Sequence, residues 1–392
     1  MRILFTGASP WTNSGYGKPW RYLLPRLHQA GHDLALAAFY GWGGTIADLD
    51  VGGAPLRIYP PAADTYFNDI IDRHVAHFRA DVVITLQDVW ILDRWGQRDF
   101  RWCPWLPVDT SPVSEAVRVA LDGCHTPLAY CAWARRELVA AGFLRARTVP
   151  FGVDLDLHQP RDPQTCRKRL GLPDGFLAGM VAANSSDPSR KSLPEVLLAW
   201  RDWLSGGGEG HLYLHTTLTP KGRAGHGIDL IGLLATLDLP WSTLDDPNPE
   251  RRARAAILFP AQYRMWAGDV DDAELSDLYN SLDVLLAPSQ AEGFGIPIIE
   301  AQACGVPVVT LHTTAMPELT WNGVCLNPLQ PIWEDQGGWR GIAPVAGIRD
   351  AIERAARGGF ARGVPEQVRD YDWDVMVARD WLPFLDELEA EA

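Results

Sequence analysis

Short apolar runs alternate with longer amphipathic stretches along most of this chain. In the first third, residues 2–5 read as a buried strand, 16–30 as a helix closed by Gly31, and 34–39 as the next strand. Residues 69–78 suit a helix and 81–86 a buried strand, and the pattern repeats with a strand at 105–108 and a helix at 115–121. After a strand ending at Val149-Pro150-Phe151-Gly152-Val153-Asp154 and a proline-punctuated polar stretch from Pro160 to Pro163, the rhythm restarts. Strands are predicted at 178–182, 212–215, 255–259, 284–287 and 306–310, with helices at 193–204, 228–237, 273–281 and 297–303. Strands that alternate with helices imply parallel sheets covered on both faces, an α/β fold. The glycine-rich stretches at 205–210 and 336–341 read as loops, and the acidic tail from Val364 onward as terminal helices.

Length and charge refine this picture. A chain of 392 residues exceeds one ordinary core. Two domains are therefore expected, 1–155 and 156–363, followed by C-terminal helices over 364–392. The composition, 47% hydrophobic and 21% charged, is that of a soluble globular protein. No apolar run is long enough to span a membrane, and the apolar start is too short for a secretion signal. A cytoplasmic protein is expected, with peripheral membrane contact left open. With 35 basic against 49 acidic residues, the net charge of −14 and the lack of a basic patch argue against nucleic acid as a major partner.

The six cysteines are scattered without C-x-x-C spacing and read as free thiols in a reducing compartment. The pairs His28/His32 and His74/His77 lack a third ligand nearby, and Asp154-Leu155-Asp156, although of D-x-D form, lies in the linker. None of these is read as a metal site. Among the tryptophans, Trp90, Trp95, Trp102 and Trp105, interleaved with Arg94, Arg98 and Arg101, offer an acceptor surface or a membrane-facing patch, against the commoner fate of core packing.

The most informative passage runs from Val284 to Glu300. A strand ends, a loop holds Glu292-Gly293-Phe294-Gly295, and a helix begins with a proline near its first position. Ligands of open parallel sheets sit beyond the carboxyl ends of the strands. Backbone N–H groups from Gly293 through Phe294 to Gly295, at a positive helix end, suit a pyrophosphate. Glu300, expected in the helix's first turn, can accept two ribose hydroxyls, and Glu292 the hydroxyls of a sugar carried on that pyrophosphate. Upstream, Arg190 and Lys191 follow an apolar strand and precede a helix, and by spacing alone they could be a solvated basic pair. Ser14-Gly15-Tyr16-Gly17-Lys18 follows the first strand but fails both as a phosphate-binding loop of the Walker type and as a dinucleotide fingerprint.

Glu292 and Glu300, with seven residues between them and enclosing Gly-Phe-Gly, resemble the E-x7-E signature of retaining family-4 glycosyltransferases, a group that includes glycogen-synthase-like and mannosyltransferase-like enzymes. Weaker similarities extend over nearly the whole chain, including Gly152-Val153-Asp154 and Met316-Pro317-Glu318-Leu319. The resemblance implies a GT-B fold, two Rossmann-like doubly wound parallel-sheet domains facing across a cleft. The first would be the acceptor side and the second the nucleotide-sugar donor side, with the tail able to pack back on the first. It implies a hexosyltransferase that uses a nucleotide-diphosphate sugar as co-substrate and retains anomeric configuration, with no other cofactor and no required metal. The acceptor is left open among glycan, lipid, small molecule and protein.

The same resemblance makes Arg190 and Lys191 a clamp for the donor diphosphate and Val270 a neighbour of the base, and it brings Gly15 and Gly17 close to the donor phosphates. Asn184 stands where the family often has arginine, and Asp109 where it commonly has a cleft histidine; both departures fall within the implied site. Asp109 could orient or deprotonate an acceptor hydroxyl, or equally cap the following helix. A non-catalytic nucleotide-sugar-binding protein, a glycoside hydrolase using Glu292 and Glu300, and a nicotinamide oxidoreductase weakened by the failed fingerprint are the rival readings.

Overall fold

The computed structural model describes residues 1–12, 14–219, 227–334 and 336–391; Ala392, the end of the expected tail, lies outside them. The chain divides into two compact units. The first comprises Met1–Asp154, Trp333–Trp339 and Arg369–Ala392, and the second Leu155–Ile332 and Arg340–Val368.

The first unit is built on an eight-stranded sheet. Its strands are β1 (Arg2–Ala8), β2 (Asp33–Phe39), β3 (Ala47–Val51), β4 (Ala54–Tyr59), β5 (Val82–Leu86), β6 (Trp102–Leu106), β7 (Leu128–Ala129) and β8 (Arg147–Thr148). They lie in the order β3-β4-β2-β1-β5-β6-β7-β8. All neighbours are parallel except β3 with β4, a hairpin turned by Gly52-Gly53. Every residue of β5 and β6 is buried, which is why these strands read as unbroken apolar runs rather than as alternation. The strand order turns back at β1 and β5, so the loops that follow these two strands flank the crevice where ligands of such sheets bind.

Aromatic packing ties the C-terminal tail into this unit. Trp381 is wholly buried, its ring 5.0 Å from that of Trp105 and 6.5 Å from that of Phe5. Val153 donates its N–H to Tyr371 O at 2.7 Å. Beside it, a side chain at Gly152 would collide with the indole of Trp373, which explains the glycine of that Gly-Val-Asp. The guanidinium of Arg145 pairs with Glu391 at 2.7 Å, that of Arg147 with Glu387, and that of Arg101 donates to Leu388 O at 2.5 Å. Trp95, Trp102 and Trp105 are core residues, while Arg98 is held by Asp72 at 2.6 Å. The commoner fate of core packing thus holds for three of the four indoles, and of the four only Trp90 is exposed. His74 packs on Tyr59 with its Nε2 3.1 Å from Pro60 O, and His77 Nδ1 lies 2.8 Å from the Tyr59 hydroxyl.

The second unit carries a seven-stranded, wholly parallel sheet. Its strands are β9 (Leu177–Val181), β10 (His211–His215), β11 (Trp241–Thr243), β12 (Ile257–Phe259), β13 (Val284–Ala287), β14 (Val308–Leu311) and β15 (Gly323–Leu326), in the order β11-β12-β10-β9-β13-β14-β15. Here the order reverses between β9 and β13. The helix Leu193–Ser205, which follows β9, buries Leu193, Val196, Leu197, Trp200 and Trp203 at helical spacing, and Trp203 Nε1 donates to Glu353 at 2.7 Å. Residues 336–341, expected as a loop, contain the strand Gly338–Gly341, which pairs with Pro331–Glu334; glycine content hid a short hairpin.

Replacing Trp381 by Ala should destabilise the first unit by about 3–5 kcal/mol, because the cavity it leaves is lined by three large rings. Replacing the half-exposed Trp266 should change stability by less than about 0.5 kcal/mol. Denaturant midpoints of the two variants check both.

Candidate functional site

Two loops meet at the reversal point of the second sheet, one after β9 and one after β13. In the first, Ser192 adopts a left-handed conformation (φ 59°) at the start of the helix Leu193–Ser205, directly after Arg190 and Lys191. Such a backbone is costly for a residue with a side chain and persists where its surroundings hold it. Gln290 donates its N–H to Arg190 O at 2.8 Å, and Arg190 returns a guanidinium hydrogen bond to Ala291 O at 2.6 Å. The loops are thus laced together before any charge is considered.

The charges then converge on Glu292. Its Oε1 lies 2.5 Å from Lys191 Nζ and its Oε2 3.7 Å from Arg190, with 14% of the Glu292 side chain exposed. Its backbone N–H donates to Thr314 Oγ1 at 2.9 Å. Burial alone would raise the Glu292 pKa, but Lys191 and then Arg190 outweigh it and hold the carboxyl down at about 2.

Gly295, with φ +109°, turns the chain into the helix Ile296–Ala303. No side chain caps this N-terminus, and Pro297 stands in its first turn. The positive φ requires glycine, and a side chain there would also press on Ile298. Phe294 is buried, so its side chain belongs to the core and only its backbone can serve a ligand.

Glu300 is the fifth residue of the helix and so opens the second turn rather than lying in the first as expected. It is 3% exposed; Tyr279 donates its hydroxyl to Oε2 at 2.8 Å, and His158 Nε2 stands 3.6 Å from Oε1. Burial, then Glu300, pushes the Tyr279 hydroxyl well above its ordinary pKa, so it stays a donor. His158 was missed by sequence reasoning, because a lone histidine in a linker carries no spacing signal. The hydroxyls of Thr216 and Thr313, near the carboxyl ends of β10 and β14, are buried and have no hydrogen-bond partner among the described residues.

Asn184 serves as a loop anchor in the folded chain. Its amide donates to Ile228 O at 2.9 Å and accepts from Ile228 N–H at 2.9 Å, which uses the side chain to pin the segment beyond β10. Val270 lines a small cavity with Tyr213, His215, Leu244 and Glu274.

In the first unit, Gly17 is required by the turn itself, since a side chain would collide with Thr12 and the carbonyl of Ser9. Gly15 faces open space, and its own chain does not explain it. Asp109, half-buried after β6, is not the cap of the following helix. Ser114 fills that position, accepting from Val117 N–H at 3.4 Å.

Residues 246–331 match the family described as glycosyl transferases group 1. Over 234 residues the chain is 28% identical to D-inositol 3-phosphate glycosyltransferase 2 of Catenulispora acidiphila, a match covering 60% of this chain and 49% of that protein. Over 97 residues it is 37% identical to O-antigen chain mannosyltransferase B of Escherichia coli, covering 22% and 25% respectively. The chain spans from about a quarter to about half the length of the curated relatives it matches. Among solved structures, sucrose-phosphate synthase from Thermosynechococcus elongatus superposes with a TM-score of 0.75 at 17% identity over the whole of both chains. Anabaena HepE in complex with UDP and glucose gives 0.66 at 16% identity, covering 98% of this chain and all of that one. These likenesses establish the fold.

Because its pKa is depressed, ionised Glu292 contributes stability above pH 4.5 that is lost only as the pH falls through about 2. Replacing Lys191 by Met should bring that carboxyl back toward its ordinary range, so the contribution disappears at higher pH. A carbon-13 titration of the Glu292 carboxyl in both proteins reads the change; superimposable curves would dismiss the pair.

Proposed function

We propose, starting from the chain's membership of the group 1 glycosyl transferases and from its GT-B fold, that it transfers a hexose from a nucleotide-diphosphate sugar to an acceptor hydroxyl with retention of configuration. The observation that carries this reading is the convergence of Lys191, Arg190 and Glu292 at an uncapped helix N-terminus, at the reversal point of a parallel sheet. As the bond from the anomeric carbon to the diphosphate breaks, negative charge grows on the leaving oxygens. Lys191, Arg190 and the amides of Gly293, Phe294 and Gly295 balance it. Glu292 holds hydroxyls of the transferred sugar. Glu300, held from one side by the Tyr279 hydroxyl, is assigned the ribose hydroxyls. By the resemblance, Val270 would neighbour the base and Gly15 the donor phosphates. The acceptor oxygen forms the new bond to the anomeric carbon and gives up its proton, a step for which Asp109 is the candidate orienting group or base. Lys191, Arg190 and the backbone dipoles of the loop together are assigned the diphosphate charge.

The hydrolase alternative needs one carboxylic acid kept protonated near neutral pH. Glu292, held ionised down to a pH of about 2, is unsuited to that role. The names of the matched relatives put cyclitol phosphates and O-antigen glycans among the first acceptors to try.

Thermal-shift titration against UDP-glucose, UDP-N-acetylglucosamine and GDP-mannose tests the donor site. One of them at 100-fold excess over its Kd should stabilise the protein by about 2.7 kcal/mol. Replacing Lys191 by Ala or Glu300 by Gln should weaken that donor about tenfold or more. A protein that ignores every donor refutes the reading; one that binds a donor but neither transfers nor hydrolyses its sugar is a sensor.

A further inference from the structure

Beside the edge strand β8 the first unit holds a cavity of about 700 Å³. Arg135, on the helix Ala132–Ala140, lines it together with Arg145 and Arg147, on the chain entering β8, and Arg379. The helix Leu382–Ala390 adds Phe384 and Glu387, and Glu391 follows just beyond it. Thr126 and Arg145 precede β7 and β8, so the cavity reaches the amino ends of these strands. The crevice of the sheet lies beyond the carboxyl ends of β1 and β5, and β8 is three strands away from β5. The cavity is therefore no part of that crevice.

The chain as a whole carries a net charge of −14, yet four guanidiniums meet here. Against them stand Asp380, Glu387 and Glu391, which leaves one positive charge on the lining. Arg145 pairs with Glu391 at 2.7 Å, Arg147 with Glu387, and Arg379 with Asp380 at 2.7 Å. Arg135 has no carboxylate partner among the described residues; its Nε donates to Ala146 O at 2.8 Å, which seats it on the residue between Arg145 and Arg147. The side chains of the Arg145 and Arg147 pairs are 44–57% exposed. Ion pairs so open to water add little to stability, so an incoming anion replaces their carboxylates at small cost. Arg379 and Asp380 stand on Val377–Trp381, a turn of π-helix between two α-helices. Such turns are rare and recur at functional sites.

From the cavity, its guanidiniums and the π-turn we infer that the first unit binds a phosphorylated small molecule here. Arg147, in exchange for Glu387, and Arg135 hold the phosphate. The inference is independent of the transferase reading. A phosphate ester carries more charge than the carboxylate it displaces, and guanidinium forks match its oxygens. A carboxylate ligand would only repeat what Glu387 already supplies, and a neutral glycan would leave the arginines unused. Cavities of this volume hold organic molecules, and a bare phosphate would fill a small part of it.

The test titrates glycerol 3-phosphate, glucose 1-phosphate and inorganic phosphate into the full chain by calorimetry at constant ionic strength. Each is run on the wild type and on Lys191→Ala, which weakens anion binding in the second unit. The inference expects at least one ester to bind both proteins. Its affinity should fall about tenfold or more in Arg147→Ala and in Arg135→Ala. It should rise severalfold in Glu387→Gln, where the competing carboxylate is gone; a merely structural ion pair would not produce that gain. The two arginines lie on different elements, so one variant stays informative should the other misfold. Binding of no ester, or binding that both arginine variants leave untouched, overturns the site. Binding lost in Lys191→Ala places the anion in the second unit and overturns it as well. Inorganic phosphate bound as tightly as every ester overturns the ligand class, and weaker binding in Glu387→Gln overturns the exchange.

Discussion

The ion pair between Lys191 and Glu292 is the contact on which the second unit's loop arrangement turns. It joins the segment after β9 to the segment after β13, and with Arg190 it sets two cations against one carboxylate. The local balance is a single net positive charge, less than a diphosphate carries. The remainder has to come from backbone dipoles, and the uncapped helix beginning at Ile296 supplies them where Gly295 lets the chain turn. Glu292 therefore has two effects. It keeps the basic pair from repelling itself in a mostly buried setting, and it places an acceptor of hydroxyls beside the cations that would hold the phosphates.

Both units reach their candidate sites by the same topological rule. Each sheet has a central pair of strands from which the order runs outward in opposite directions, β1 with β5 and β9 with β13. Loops at such a reversal point cannot both be covered by a connecting helix, and so they are left to ligands. The glycines mark the difference between scaffold and site. Gly17 and Gly152 are needed because Thr12 and Trp373 occupy the space a side chain would take, whereas a side chain at Gly15 would meet none of the described residues within 4 Å. A glycine that packing explains needs no ligand to account for it.

Much of this was legible in the sequence, and the reasons for the rest are physical. Strands buried on both faces announce themselves as apolar runs, so β1, β5, β13 and β14 could be placed, and the loop from Glu292 to Gly295 could be set between a strand and a helix. The hairpin of β3 and β4 was not visible, since an exposed edge pair carries polar residues such as Asp48 and Arg57 that bond to each other and mimic a loop. Asn184 occupies a position that suggested a phosphate contact, but the folded chain gives both its polar atoms backbone partners at Ile228. Trp95, Trp102 and Trp105 follow the commoner fate of indoles, Trp102 and Trp105 because β6 lies inside a covered sheet.

The two glutamates of the loop and helix show how environment divides the work of identical side chains. Glu292 is held by two cations, and its charge is locked on. Glu300, no more exposed than the core around it, is met by a phenol and an imidazole. A group that balances nearby cations contributes to the electrostatics of a leaving diphosphate; a buried group held in place by a phenol hydroxyl contributes direction. The strength of the E-x7-E spacing as a signal follows from this. Seven intervening residues carry the chain from a charged loop, through a glycine turn, into the second turn of a buried helix, so one short segment presents a carboxylate to each of two chemically different parts of the same ligand.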